Sequence, residues 1–355
     1  MRKKHFLFAS VLALLCSSST LHAQDFKLTS SGYFKNQGVD VMAFDDIYPE
    51  GHQGGVCIIM NGHRVATNGD IRLEATPGQW QPVPKQLDRK LGDNSITATL
   101  CYPDSSRHLT GFNPMIYPDL HLIYTVNVES KGKNIEVTVD LDRPIPQEFI
   151  GKVGFNLEFF PGSLFGKPWI MDGQSGIFPQ QPNSPLMTTQ PNYLHTGNYH
   201  DGKKSLADMD KLIGKGYSPI VADDIISEPY AKGTKFTSRP DDPYNKVTIE
   251  SLSGDLQLFD GRMNHNNGWF VLRSNIKPGV TKGAVKWIIT PNVVADWMYQ
   301  PVIQTSQIGY HPTQDKEAVI EMDIRDNRKE TAQIIRIDAD GEKVVKNVTP
   351  ANWGK

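Results

Sequence analysis

Apolar and polar residues alternate along most of the chain, and the clearest run is "HLIYTVNVESKGKNIEVTVDLD" at 121–142. Tyr124, Val126 and Val128 alternate with polar neighbours, Lys131-Gly132-Lys133 supplies a turn, and Ile135, Val137 and Val139 alternate back. A period of two with one apolar face predicts a β-hairpin. The stretches 153–160, 246–260, 269–276 and 284–291 carry the same pattern and read as strands, several with Gly-Asp or Asp-Gly turns beside them. Near the end, "AQIIRI" and "KVV" flank Asp338-Ala339-Asp340-Gly341. That context predicts a hairpin turn, with Gly341 supplying a positive φ, and not an acidic catalytic loop.

Two segments break the pattern. In "SLADMDKLIGKG", Leu206, Met209 and Ile213 fall at helical spacing, Ser205 and Asp208 form a capping box and Gly214 a stop, so a helix is expected there. Between about 161 and 203 the chain is rich in Gly, Pro, Asn, Gln and aromatics without a period, as in a structured and often functional loop of a β-domain. The expected fold class is all-β. Residues 24–300 form one large β-sandwich, and 295–306 link it to a second β-unit at 301–355. No repeat at solenoid or propeller period occurs.

The first 23 residues read as an export signal. Arg2, Lys3 and Lys4 precede an apolar core from Phe6 to Leu15, too short to span a bilayer, and Ala23 offers a cleavage site before Gln24. The mature chain is therefore expected in the periplasm or outside the cell, with no transmembrane segment. Cys16 follows Leu15, where a lipoprotein would carry a small residue, and is taken as lost with the signal. Export leaves Cys57 and Cys101 in an oxidising compartment as candidates for a disulfide; buried thiols on separate strands are the simpler reading.

A formal charge of −2 gives no electrostatic case for nucleic acid or an anionic membrane. No nucleophile elbow, phosphate loop or dinucleotide fingerprint occurs, and neither cysteine has histidines at zinc spacing, so no cofactor or metal is expected. The adjacent acids Asp45-Asp46, Asp223-Asp224 and Asp241-Asp242 cannot clamp a sugar as pairs, because neighbours in a strand point to opposite faces; they read as turn residues. His195, His200 and Asp201 cluster in "HTGNYHDG", which reads as a surface loop. The loop aromatics Trp169, Tyr193, Tyr199 and Trp269 lie among amides and can stack on the C–H faces of sugars. Their alternative role is to plug the ends of the sandwich.

The stretch "QIGYHPTQDKEAVI" (307–320) is read as a strand from Gln307 through Tyr310, a turn at Pro312, and a second half-buried strand of Ala318, Ile320 and Met322. It resembles the start of the immunoglobulin-like module that precedes the catalytic domain in family 9 glycoside hydrolases, the cellulases. Gln307, Gly309, Tyr310 and Pro312 match the family's first-strand pattern, and Lys316, Ala318 and Val319 match the opening of its next strand. Residues 334–345 match the hairpin that follows. The roughly 50 residues from Gln304 to Lys355 amount to about half of such a module, so a truncated module is expected.

The resemblance implies inverting hydrolysis, one carboxylate activating water and another protonating the leaving group, both on a helical barrel that follows the module. No catalytic residue is therefore assigned to this chain. Residues 246–274 more loosely resemble the extra β-domains ahead of that module in exported polysaccharide-degrading enzymes, for which a two-sheet supersandwich like that of galactose mutarotases is the analogous fold. The expected function is the non-catalytic N-terminal portion of an exported glycoside hydrolase. Its partners would be β-1,4-glucan or a related plant polysaccharide and the missing catalytic domain. The alternatives are a free-standing exported carbohydrate-binding protein, or a β-domain with its own sugar chemistry using His195, His200 or Asp201 as acid and base.

Overall fold

The computed structural model describes residues 25–45, 54–74, 77, 84–104, 120–182, 228–263, 268–328 and 330–354. In chain order the first strands are β1 (Lys27–Leu28), β2 (Phe34–Asn36), β3 (Val39–Ala43), β4 (Val56–Met60), β5 (His63–Leu73), β6 (Lys85–Leu91) and β7 (Ser95–Tyr102). Then come β8 (Leu122–Lys131), β9 (Asn134–Leu141), β10 (Val153–Phe159), β11 (Pro168–Met171), β12 (Gln174–Ile177), β13 (Ala231–Gly233) and β14 (Lys235–Ser238). The last are β15 (Val247–Ser251), β16 (Leu256–Asp260), β17 (Phe270–Asn275), β18 (Val285–Pro291), β19 (Val302–Gln304), β20 (Val319–Glu321), β21 (Ala332–Asp338) and β22 (Gly341–Val348). Among the described residues there is no α-helix. The helix expected at 205–216 lies outside them.

Strands up to β18 build two nine-stranded antiparallel sheets. The first runs β1-β2-β3-β4-β5-β10-β17-β16-β13 and the second β12-β11-β14-β15-β18-β9-β8-β7-β6. The chain is all-β, and its main body is a sandwich. The β8–β9 hairpin has the expected register, with Val126 opposite Val139 and Val128 opposite Val137, and Gly132 in its turn has φ 63°. One face of each sheet supplies the shared core: Phe155 of β10 meets Trp287 of β18 edge-on at 5.0 Å, and Phe159 meets Phe236 of β14 at 5.8 Å. The Trp287 indole N–H, which burial would leave unpaired, donates to Ser274 Oγ of the opposite sheet at 3.0 Å.

The residues after β18 make two small two-stranded sheets, β19–β20 and β21–β22. The two-residue turn at Ala339-Asp340 is followed by Gly341 at φ 108°, as its hairpin position requires. The strand expected at Gln307–Tyr310 is not formed. The strand ends at Gln304, and 305–318 are turn and loop up to Val319. The physical reason is hydrogen bonding: the Tyr310 hydroxyl donates to the Glu317 carbonyl, accepts from Ser306 N at 3.3 Å and lies 3.3 Å from Thr305 Oγ1, closing the segment on itself. Lys316 Nζ donates to the carbonyls of Gln314 and Pro312 at 2.8 and 3.1 Å, and Gly309 takes φ 80°. The matching residues of the motif therefore build a turn.

Candidate functional site

The face of the first sheet turned away from the core should be solvated in a simple sandwich. At its centre it is instead polar and buried. The registers place Asp70 opposite Asn156, and Asn156 opposite Arg273, so β5, β10 and β17 present these side chains on one face. Arg72, Glu74, Glu158, Thr67 and Asn68 join them, and all eight are at least nine-tenths buried.

One half of the cluster is closed by matched partners. Arg273 Nη1 lies 3.1 Å from Glu74 Oε1 and donates to Asn156 Oδ1 at 3.1 Å. Asn156 Nδ2 donates to Glu74 Oε1 at 2.6 Å, and Arg273 Nη2 to the Lys152 carbonyl at 2.7 Å. Burial pulls the Arg273 guanidinium below its ordinary value, and Glu74 opposes that pull. In the other half, Asp70 sits 3.6 Å from Arg72 Nη1 and accepts from the Tyr124 hydroxyl at 2.8 Å and from Ile71 N at 2.7 Å. Burial nonetheless raises the Asp70 carboxyl. Tyr124, with Tyr102 beside it, reaches β5 from the second sheet where β4 has ended, since Val56 is the β4 residue paired with Gly69.

Glu158 is the third carboxyl beside two arginines, the other two carboxyls having Arg72 and Arg273 as partners. Its Oε2 accepts from Asn68 Nδ2 at 2.6 Å. Burial pushes it up to about 7, against the pull of Arg72 and Asn68 and with Glu74 adding to the rise. A carboxyl that changes charge near neutrality inside a polar cluster can donate or accept a proton. Asn68 owes its position to a bulge: the β5–β10 register slips between Asp70–Asn156 and Thr67–Glu158, and Asn68 takes φ 55°. Sequence reading passed over this cluster. Its signal was "DIRLE", where acid, base and acid alternate on one face of a strand.

The residues singled out from the sequence fall elsewhere. Trp169 on β11 is only 7% exposed and belongs to the core, its ring lying over Gly176 of β12. It fills the end of the sandwich and offers no open face for stacking, which corrects its assignment as a glycan platform. Trp269, entering β17 in the other sheet, is half-buried and meets Phe160 edge-on at 4.2 Å. Tyr193, Tyr199, His195, His200 and Asp201 lie outside the described residues. Asp242 accepts from Arg239, from Asn245 Nδ2 at 3.1 Å and from Tyr244 N at 2.9 Å, the work of a turn residue.

Cys57 and Cys101 are not bridged to each other. Val56 and Ile58 on β4, and Leu100 and Tyr102 on β7, point into the core, so the alternation turns Cys57 and Cys101 outward on opposite sheets. Facing sheets lie about 10 Å apart, too far for outward thiols to meet. Among the described residues no group of three His, Cys, Asp or Glu side chains gathers to hold a metal.

No family model matches the chain, and no curated protein matches it. Among solved structures it is similar to the Slr1438 protein of Synechocystis, with 11% identity and a TM-score of 0.32 over 82% of this chain and 100% of that one. It is also similar to a galactose mutarotase related enzyme of Lactobacillus acidophilus, with 11% identity and a TM-score of 0.33 over 73% of this chain and 96% of that one.

Proposed function

We propose that the chain is the non-catalytic N-terminal portion of an exported glycoside hydrolase acting on β-1,4-glucan or a related plant polysaccharide. The observation that carries this reading is the state of β19 to β22. Ile335 and Val344 are cross-strand partners on one face of the β21–β22 hairpin, with Ile337 beside them, and all three are exposed. Ile303, Ile308 and Trp353 are exposed as well, Ile308 at 99%. A lone two-stranded hairpin is marginal in water, and apolar strand faces are stabilised by a second layer. The remaining strands of an immunoglobulin-like module are that layer, and the motif turn at 305–318 is where the resemblance to the cellulase module lies.

The motif residues favour the non-catalytic reading, because Tyr310 and Lys316 are occupied in holding the turn. Of the four aromatics read as sugar-stacking candidates, Trp269 is described and half-buried, which leaves part of its ring open to glycan. The test is a pull-down of the exported chain on insoluble β-1,4-glucan, together with a reducing-end assay. Retention on the glucan, weakened by Trp269→Ala and with no release of reducing ends, is expected. Hydrolysis by this chain, or no retention, overturns the reading. Coding sequence that continues past Lys355 into a helical domain supports it over a free-standing carbohydrate-binding protein.

A further inference from the structure

We propose that residues 297–299 are a rigid joint that locks the β19–β20 unit at one orientation on the sandwich, so that the two move as a single body. The inference concerns how the units are held, and it does not depend on whether either meets glycan.

The composition of the segment departs from that of a flexible linker. Ala295-Asp296-Trp297-Met298-Tyr299-Gln300-Pro301 contains no glycine or serine, carries two aromatic rings and a methionine, and ends in proline. In the fold both rings are half-buried and meet edge-on at 6.3 Å. They rest on two neighbouring hairpin turns of the first sheet. A Cβ at Gly38, in the β2–β3 turn, would lie 2.7 Å from Trp297 Cε3 and 2.5 Å from Asn61 Oδ1. Only a residue without a Cβ lets the indole come down on that turn. A Cβ at Gly62, in the β4–β5 turn, would lie 3.4 Å from Tyr299 Cε2, so the second ring sits against the second turn.

The backbone of the segment is pinned from both sides. The Trp297 carbonyl oxygen accepts from Gln37 Nε2 of the β2–β3 turn at 2.7 Å and from Arg325 Nη2, which follows β20. One atom therefore takes a bond from each unit. Tyr299 N donates to Asp323 Oδ2 at 3.0 Å. Asp323 and Arg325 are fixed in turn by a two-pronged pair, Nε to Oδ1 and Nη2 to Oδ2, both at 2.9 Å. Hydrogen bonds alone would let the segment swing; the indole lying against the Gly38 backbone is the steric stop that sets the angle.

The test is the distance between two nitroxide labels, measured by pulsed electron paramagnetic resonance. The labels are attached at Lys133→Cys in the β8–β9 turn and Gln304→Cys in β19, both exposed positions. Replacing Cys16 and Cys101 by serine leaves Cys57 as the remaining native thiol, and at 1% exposure it stays unlabelled. One narrow distance is expected. Trp297→Ala takes the ring off Gly38 and should at least double the width of the distribution. Gln37→Met, close in volume but without the N–H donor, is the second variant and should broaden it by less. Amide exchange in β8 and β9, read alongside, should be unchanged and shows that the sandwich stays folded. The proposal is overturned by a broad or multiple distribution in the parent chain. It is equally overturned by a narrow distribution whose width neither variant changes.

Discussion

Replacing Glu158 by Gln should make the protein more stable by about 3 kcal/mol at pH 8 and by only about 1 kcal/mol at pH 5. Glu158 holds its proton in the fold up to about pH 7, against 4.5 for an ordinary glutamate. Each pH unit between those values is worth about 1.4 kcal/mol. Ionised Glu158 therefore costs the fold about 3 kcal/mol relative to the unfolded chain. Below pH 4.5 the proton is bound in both states and the residue contributes no pH dependence. From there to about 7 the unfolded chain has released the proton while the folded one keeps it, so stability falls as pH rises. Above 7 the loss is complete. Gln copies the neutral acid, and its carbonyl can keep the bond from Asn68 Nδ2. Urea unfolding of both proteins at pH 5, 6, 7 and 8 should show a gap that opens from about 1 kcal/mol at pH 5 to about 3 kcal/mol at pH 8 in favour of the variant. The raised Asp70 carboxyl titrates in both proteins and drops out of the comparison. A gap that stays constant across this range, or that opens in favour of the wild type, would falsify the placement of Glu158 as the unmatched acid.

Three further outcomes follow from the same contacts. Arg273→Leu leaves Glu74 buried without its guanidinium partner and should cost about 3–5 kcal/mol in urea unfolding; a cost below 1 kcal/mol would mean that water reaches Glu74. Phe155→Ala removes the ring that meets Trp287 across the two sheets and should cost about 3–5 kcal/mol, with loss of near-UV circular dichroism from the tryptophan environment. Tyr310→Phe deletes the hydroxyl that closes the 305–318 turn. It should speed amide exchange and proteolysis in that turn, by about 0.5–1.5 kcal/mol of local stability, while exchange in β8 and β9 stays unchanged.

Local alternation made much of the fold legible. The β8–β9 hairpin, β10, β17, β18 and the β21–β22 turn were all readable because a period of two and a glycine with positive φ are written into neighbouring residues. Within the 305–318 turn, Gln307–Tyr310 reads as a strand, because so short a run carries no sign that the Tyr310 hydroxyl will close on Glu317. For Trp169 the sequence left two roles open, a sugar platform or a plug at the end of the sandwich; β11 pairing with β12 and β14 decided for the core.

By itself, then, the sequence determined that the chain is all-β and which side chains share a strand face. Tertiary structure decided which sheet each strand joins. β15 and β16 are separated by one short turn yet lie in opposite sheets, since β15 pairs with β18 and β16 with β17. It also decided that Asp70, Arg72, Asn156, Glu158 and Arg273 are buried. Their alternation with apolar residues reads as an ordinary solvated face. They meet only because β5, β10 and β17, distant along the chain, pair at the centre of one sheet. Strand periodicity is a property of neighbouring residues, whereas burial on the second face depends on pairing across the whole chain.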